Sequence, residues 1–251
     1  MEIGYTVKQL DEHTWQIEET NHRLGVFCYL LEGENRAMLI DSGLGNIDLR
    51  GIVAGLTDKP VAVVNTHCHG DHIGGNADFH EIYIARQDQE GYLRDANGEG
   101  PEPLPRPVPL DTIGIDDGHV FDLGGRTLRV YSTPGHSEGS ICILDVEHRW
   151  LFTGDCCCRG EVLAFAPQSG LPGYRRTMQR ILDLGSEYDI TWPAHGQAPV
   201  GKDILERILE LADDILSGKL EEKPFVNAFF HNYMCVHRDE LGIVYPPFTR
   251  G

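Results

Sequence analysis

The chain has 251 residues, 41% of them hydrophobic and 24% charged, and its 21 Lys and Arg against 39 Asp and Glu leave a formal charge of −18. A chain of this length can bury about three quarters of its unfolded surface, so a single domain over residues 1–251 needs no disulfide staples. The charge opposes a nucleic-acid backbone or an anionic membrane as the main partner, because both are polyanions.

Residues 1–16 are polar and mixed, with no basic stretch leading into an apolar one, and no apolar run approaches the ~20 residues that span a bilayer. Alternation and β-branched content predict strands over residues 14–18, 26–31 and 37–40, the last running into the turn Asp41-Ser42-Gly43. A helix is expected over 47–56. The run 61–65 reads as a strand buried on both faces, and 82–85 as another short strand. Pro101, Pro103, Pro105, Pro107 and Pro109 forbid helix and demand extended chain, either a stiff surface connection or a lid or rim within 95–118. Residues 121–130 read as a hairpin centred on Gly124-Gly125, and 141–146 with 150–153 as a second pair. Amphipathic helices are expected over 174–184 and 204–216, with a short strand at 190–192 between them. On the second helix Asp203, Glu206, Glu210, Asp213 and Asp214 form a solvated stripe. The segment 223–251 is an aromatic-rich extension holding Phe225, Phe229, Phe230, Tyr233, Tyr245 and Phe248. It reads as a final hairpin in the core, or as a wall of a substrate pocket or a dimer contact.

The chemistry is concentrated in Thr66-His67-Cys68-His69-Gly70-Asp71-His72, directly after the predicted strand 61–65. Two imidazoles two apart on extended chain, His67 and His69, can point to one side, while Asp71 and His72 follow from the next turn. Imidazole nitrogen suits zinc, iron and manganese, and carboxylate oxygen suits hard divalent ions. Three more such residues each follow a strand and sit beside Gly or Pro: His136 in Thr133-Pro134-Gly135-His136, Asp155 in Phe152-Thr153-Gly154-Asp155, and His195 in Trp192-Pro193-Ala194-His195. Separate strand–loop junctions that each offer one ligand are what a site at one sheet edge requires. Seven cysteines, three of them consecutive (Cys156, Cys157, Cys158), suggest free thiols in a reducing cytoplasm. Cys68 and Cys156 read as small buried spacers beside ligands. Tyr174 and Tyr233 are candidate donors to a developing oxyanion. His231 and His237 read as surface or structural residues.

This ordered set resembles the metallo-β-lactamase fold hydrolase superfamily over roughly residues 15–216. The resemblance implies an α/β fold, a four-layer αβ/βα sandwich, with the site at the edge between two sheets. It implies that His67, His69 and His136 hold one divalent ion, that Asp71, His72 and His195 hold a second, and that Asp155 bridges both. Asp41 matches the family's buried aspartate and would orient the ligand loop without touching metal. Two divalent ions per chain, zinc by default with iron or manganese as alternatives, would sit about 3.5–4 Å apart and bring a shared water to a pKa near 7. The bridging hydroxide would be the nucleophile and Asp71 its orienting residue, with no Ser or Cys needed.

Within the superfamily, His67-x-His69-x-Asp71-His72 with Gly74-Gly75-Asn76 resembles the glyoxalase II branch, which cleaves thioesters. Cys156-Cys157-Cys158-Arg159-Gly160 departs from that branch's Gly-Cys-Gly-Arg-like stretch, and no basic glutathione-binding region follows His195. The expected function is a dinuclear metal-dependent hydrolase of a small ester, thioester or lactone. The alternatives are a phosphodiesterase, which the charge opposes, and a persulfide dioxygenase, which resembles the same motif but uses one iron on the first ligand set. The expected partner is a small-molecule substrate, with no nucleic acid and no membrane; a homodimer stays open.

Overall fold

The structure is a computed structural model, and it describes residues 3–21, 25–100, 103–226 and 232–248. A seven-stranded sheet runs in sequence order: β1 (Gly4–Asp11), β2 (Thr14–Thr20), β3 (Gly25–Glu32), β4 (Ala37–Ile40), β5 (Val61–Val64), β6 (Ile82–Ala85) and β7 (Ile113–Ile115). Its first four strands are antiparallel, and β4 to β7 are parallel. A five-stranded sheet has the order β13-β11-β10-β9-β8. Its strands are β8 (Val120–Asp122), β9 (Thr127–Ser132), β10 (Ile141–Asp145), β11 (Trp150–Gly154) and β13 (Ile190–Pro193). A small third sheet joins β12 (Glu161–Leu163), β14 (Lys223–Phe225), β15 (Tyr233–Arg238) and β16 (Leu241–Tyr245). Among the described residues five α-helices complete the fold: α1 (Leu49–Ala54), α2 (Gly70–Ile73), α3 (Gln89–Ala96), α4 (Gly170–Asp183) and α5 (Lys202–Leu216).

Side chains alternate between two cores because a strand exposes successive residues to opposite faces. On β3 and β4, Phe27, Tyr29, Leu31, Met38 and Ile40 face the second sheet, where they meet Leu128, Val130, Ile143 and Phe152. The intervening Cys28, Leu30, Ala37 and Leu39 face α1, through Leu49 and Val53. The outer face of the five-stranded sheet, Cys142, Leu144 and Leu151, packs on α4 and α5. The layers are therefore helix, sheet, sheet, helix, as the resemblance implied. Each fully buried Leu, Ile or Phe stabilises this arrangement by about 1.5–3 kcal/mol.

Most predicted strands fall within two residues of their observed limits, and 37–40 and 82–85 coincide with β4 and β6. The first predicted helix is shorter than 47–56, because the Asp48 carboxylate accepts from Gly51 N–H (2.9 Å) and starts the helix at Leu49. The helical stripe is solvated as expected, with Asp213 bonded to Arg175 and Asp214 to Lys219 and Arg238. The C-terminal aromatics divide. Tyr245 is buried in the core with Phe248 beside it, Tyr233 turns toward Phe165, and Phe229 and Phe230 lie outside the described residues. His237 is a surface residue paired with Glu161 (2.7 Å), and His231 lies outside the described residues. Among the described residues no helix is long and apolar enough to cross a membrane.

Candidate metal centre

Five strands deliver the site residues to one edge. β4 and β5 run parallel in the first sheet and end at Asp41 and just before His67. In the second sheet β9, β11 and β13 share a direction and lead to His136, Asp155 and His195. The two edges are stitched by Ile141 N–H to Thr66 O (2.9 Å) and Phe27 N–H to Ala194 O (2.7 Å). Gly154 adopts a positive φ of 52°, and a Cβ there would lie 2.6 Å from Thr66 Oγ1, so only glycine lets the Asp155 loop sit against the histidine loop.

All seven predicted residues come together in three overlapping groups: His67, His69 and His136; His67, His72 and Asp155; and Asp71, His72 and His195, each with its donor atoms within 4.8 Å of one another. In the first trio His67 Nε2 lies 3.1 Å from His69 Nδ1, and His136 Nε2 lies 3.1 Å and 2.8 Å from those two atoms. Asp155 faces both trios. Its Oδ2 is 3.5 Å from His136 Nε2, and its Oδ1 is 3.3 Å from Nε2 of both His72 and His195. Asp71 Oδ2 closes the second trio at 3.3 Å from His195 Nε2 and 3.6 Å from His72 Nε2.

The outer ring nitrogens of His67, His72, His136 and His195 each have a hydrogen-bond partner. His136 Nδ1 donates to Leu163 O (2.8 Å), His195 Nδ1 to Gly25 O (2.7 Å), and His72 Nδ1 to Asp41 Oδ2 (2.9 Å). Asp41 Oδ1 and Oδ2 also accept from Thr66 N–H (2.7 Å) and Thr66 Oγ1–H (2.8 Å), and that hydroxyl accepts from His67 Nδ1 (3.1 Å). Asp41 therefore orients the ligand loop without joining either trio, and these bonds hold its backbone at φ +60°. With Nδ1 donating, the neutral rings of His67 and His136 keep a lone pair on the inner Nε2. The lone pairs of His67 Nε2 and His136 Nε2 face each other at 3.1 Å with His69 Nδ1 beside them, an arrangement that a shared cation relieves. His72 Nε2 and Asp155 Oδ1 are buried with no hydrogen-bond partner among the described residues. The donor set and its orphaned atoms fit divalent cations.

Protonation differs between the trios. Burial, with the neighbouring imidazoles, pushes His67 well below the ordinary histidine range, and burial lowers His69 and takes His136 down to about 4. Burial also opposes charge on His72 and His195, but nearby carboxylates outweigh it. Asp71, Asp155 and Asp41 raise His72 well above its usual value, and Asp155 and Asp71 lift His195 to about 9. The first trio is thus a neutral nest and the second a set of ion pairs. A raised histidine stabilises the folded state fully below its unfolded value near 6.5, and that gain is lost as pH climbs through the folded value. Thermal melts of chelated protein should therefore show stability falling from about pH 6.5 to about 9, by up to ~3 kcal/mol for His195. The metal-loaded protein should stay level, and a flat profile without metal would contradict this assignment.

One expectation changes, and one residue enters that the sequence did not single out. Tyr174 is not an oxyanion donor: it is fully buried in the core, and its hydroxyl donates to Cys156 O (2.7 Å). Phe165 was not anticipated. Its ring lies 6.5 Å from that of His136, inclined by 20°, and 4.3 Å from that of Tyr233. The spacer reading of Cys68 and Cys156 agrees with their burial at 5% and 2% exposure.

The profile of the metallo-beta-lactamase superfamily matches residues 23–195. A Gallus gallus protein named acyl-coenzyme A thioesterase MBLAC2 is 33% identical over 193 residues, 66% of this chain and 69% of that one. Its Homo sapiens counterpart is 29% identical over 212 residues, 72% and 76% of the two chains. A metallo-beta-lactamase family protein from Thermus thermophilus superposes with a TM-score of 0.67 at 20% identity, over 86% of this chain and 85% of that one, and shows the same fold. The ordered ligand motifs, the layered sandwich and these likenesses place the chain in the metallo-beta-lactamase superfamily, as a hydrolase of that superfamily.

Proposed function

We propose that the chain hydrolyses acyl thioesters with two divalent cations, zinc by default, one in each trio. The observation that carries the metal reading is Asp155, whose two oxygens face the two trios separately. The thioester reading is supported by the relatives named acyl-coenzyme A thioesterases. Divalent cations held there would polarise the thioester carbonyl and bring the pKa of water close to neutrality.

The chain's own residues supply the rest. Asp71 is 24% exposed at the site, and although burial favours its neutral form, His72 and His195 hold its carboxyl well below the usual range. A carboxylate so acidic is a weak base, so its role is to accept a hydrogen bond from the attacking water and aim it. The thiol product has a pKa near ~8.5 and departs as thiolate, so the reaction asks for no general acid. Phe165 and Tyr233 form an aromatic wall beside His136, suited to an acyl chain. On the other side Leu104 of the proline-rich segment reaches Gly70, where an added Cβ would stand 3.2 Å from its Cδ2, and the segment forms a rim to the site. Seven free thiols, six of them buried, support a reducing compartment such as the cytoplasm.

The test is a panel of acyl-CoA, neutral N-acetylcysteamine thioesters, lactones, a phosphodiester and a β-lactam on protein of measured metal content. Thioesters should be cut fastest, chelation should abolish the activity, and metal should restore it. The charge of −18 adds a second expectation. Salt should raise kcat/KM for the polyanionic acyl-CoA by screening repulsion, and should leave the neutral thioester unchanged. A metal-free preparation with full activity would end the proposal.

A further inference from the structure

Asp88 stands immediately before α3, where an aspartate ordinarily accepts a hydrogen bond from its own helix. Its carboxylate forms no such cap. It is buried, with 3% exposure, and it is turned toward two loops that carry proposed ligands. Asp88 Oδ2 accepts from Cys68 N–H (3.0 Å) and from Ser137 Oγ–H (2.7 Å), and Oδ1 accepts from Gly139 N–H (2.7 Å). Cys68 is the residue between His67 and His69, and Ser137 follows His136. The fit is close: a Cβ on Gly139 would lie 2.6 Å from the Asp88 Cβ.

We propose that Asp88 is a positioning residue for the first trio, fixing the His67–His69 loop and the His136 loop at the separation at which their three inner nitrogens converge. Three hydrogen bonds to one buried carboxylate are charge-assisted and leave it little freedom. No other described carboxylate bonds both loops through their backbone. Asp41 works elsewhere, through Thr66 and His72. The second trio has no bond to Asp88: His72 is held by Asp41, its carbonyl by Ser42 and Asn65, and His195 by Gly25. Loss of the Asp88 carboxylate should therefore weaken one metal position and spare the other.

This inference rests on the two-cation reading, and the experiment separates their failures. Cobalt(II) is titrated into metal-free protein and followed by its visible absorption. In a His195→Ala background, which leaves the first trio intact, Asp88→Asn should weaken cobalt binding by roughly 10- to 100-fold, the usual range for groups that orient ligands. In a His136→Ala background the same change should leave binding by the second trio within about twofold. Ser137→Ala removes one of the three donors and threatens folding less; it should weaken only the first trio, by a few-fold. Thermal melts of the metal-free variants accompany each titration. Equal weakening in both backgrounds would make Asp88 a general structural residue, and unchanged binding in the His195→Ala background would remove it from the site; either overturns the inference. A wild-type protein that takes up no cobalt would sink the metal reading itself and this inference with it.

Discussion

Replacing Asp155 with alanine is expected to lower kcat/KM for a thioester by roughly three orders of magnitude, equivalent to about 4 kcal/mol of lost transition-state stabilisation. It should also reduce the tightly bound divalent ions from two per chain to one at most. Among the described residues Asp155 is the carboxylate that faces both trios, with Oδ2 toward His136 and Oδ1 toward His72 and His195. Without it the second trio keeps a single carboxylate, Asp71, for two imidazoles. Asp155→Asn is the informative companion. Its amide oxygen can serve one trio, but its NH2 presents hydrogens to the lone pairs of the other. It should therefore retain one ion and lose nearly as much activity as the alanine variant. Elemental analysis with steady-state rates decides the matter, and two ions at an unaltered rate in Asp155→Ala would refute the bridging role.

The parts of this molecule that were legible in its sequence are those whose signal is local. β5 is a continuous apolar run because both of its faces are buried, and the hairpin between β8 and β9 is announced by Gly124 and Gly125, which both take positive φ. The ligand set was legible because uncommon residue types recur beside Gly or Pro at strand ends. β1 was not. It is an edge strand with five of its eight residues exposed and none fully buried, so no buried face imposes alternation on Gly4–Asp11. β12 pairs in parallel with β16 about eighty residues later, and three residues carry no local trace of such a partner. Asp88 and Phe165 are single residues whose roles arise only from tertiary contact. Tyr174 is different. Its burial could have been read from the spacing of Leu171, Tyr174, Met178 and Ile181, which marks the inner face of α4.

Arg126 is the residue whose removal should cost the most stability without touching the metal centre. It follows the glycine turn between β8 and β9 and is 3% exposed, yet it belongs to the contacts of both sheets. Its Nε and Nη2 donate to Asp145 Oδ2 on β10, Nη2 also to Thr14 Oγ1 (2.8 Å), and Nη1 to the carbonyls of His13 (2.9 Å) and Glu32 (3.3 Å). Truncation to alanine would leave the fully buried Asp145 carboxylate with the half-exposed His148 nearby, and would remove a donor from the carbonyls of His13 and Glu32, the first of which keeps its bond from Glu32 N–H. Breaking a buried pair from one side costs about 3–5 kcal/mol, so Arg126→Ala should shift the urea midpoint strongly at constant slope. Arg126→Lys should recover only part, because an ammonium cannot span the carboxylate and the strand carbonyls as a planar guanidinium does. The double variant Arg126→Met with Asp145→Leu should be far closer to wild type than Arg126→Ala, since it removes the unpaired charge along with its partner. Metal content of each folded variant should equal that of wild type, which separates this clamp from the chemistry at the opposite end of the strands. A cost below about 1 kcal/mol for Arg126→Ala would mean that Asp145 finds water or His148 as a substitute partner, and that the two sheets are held together by their shared apolar core alone.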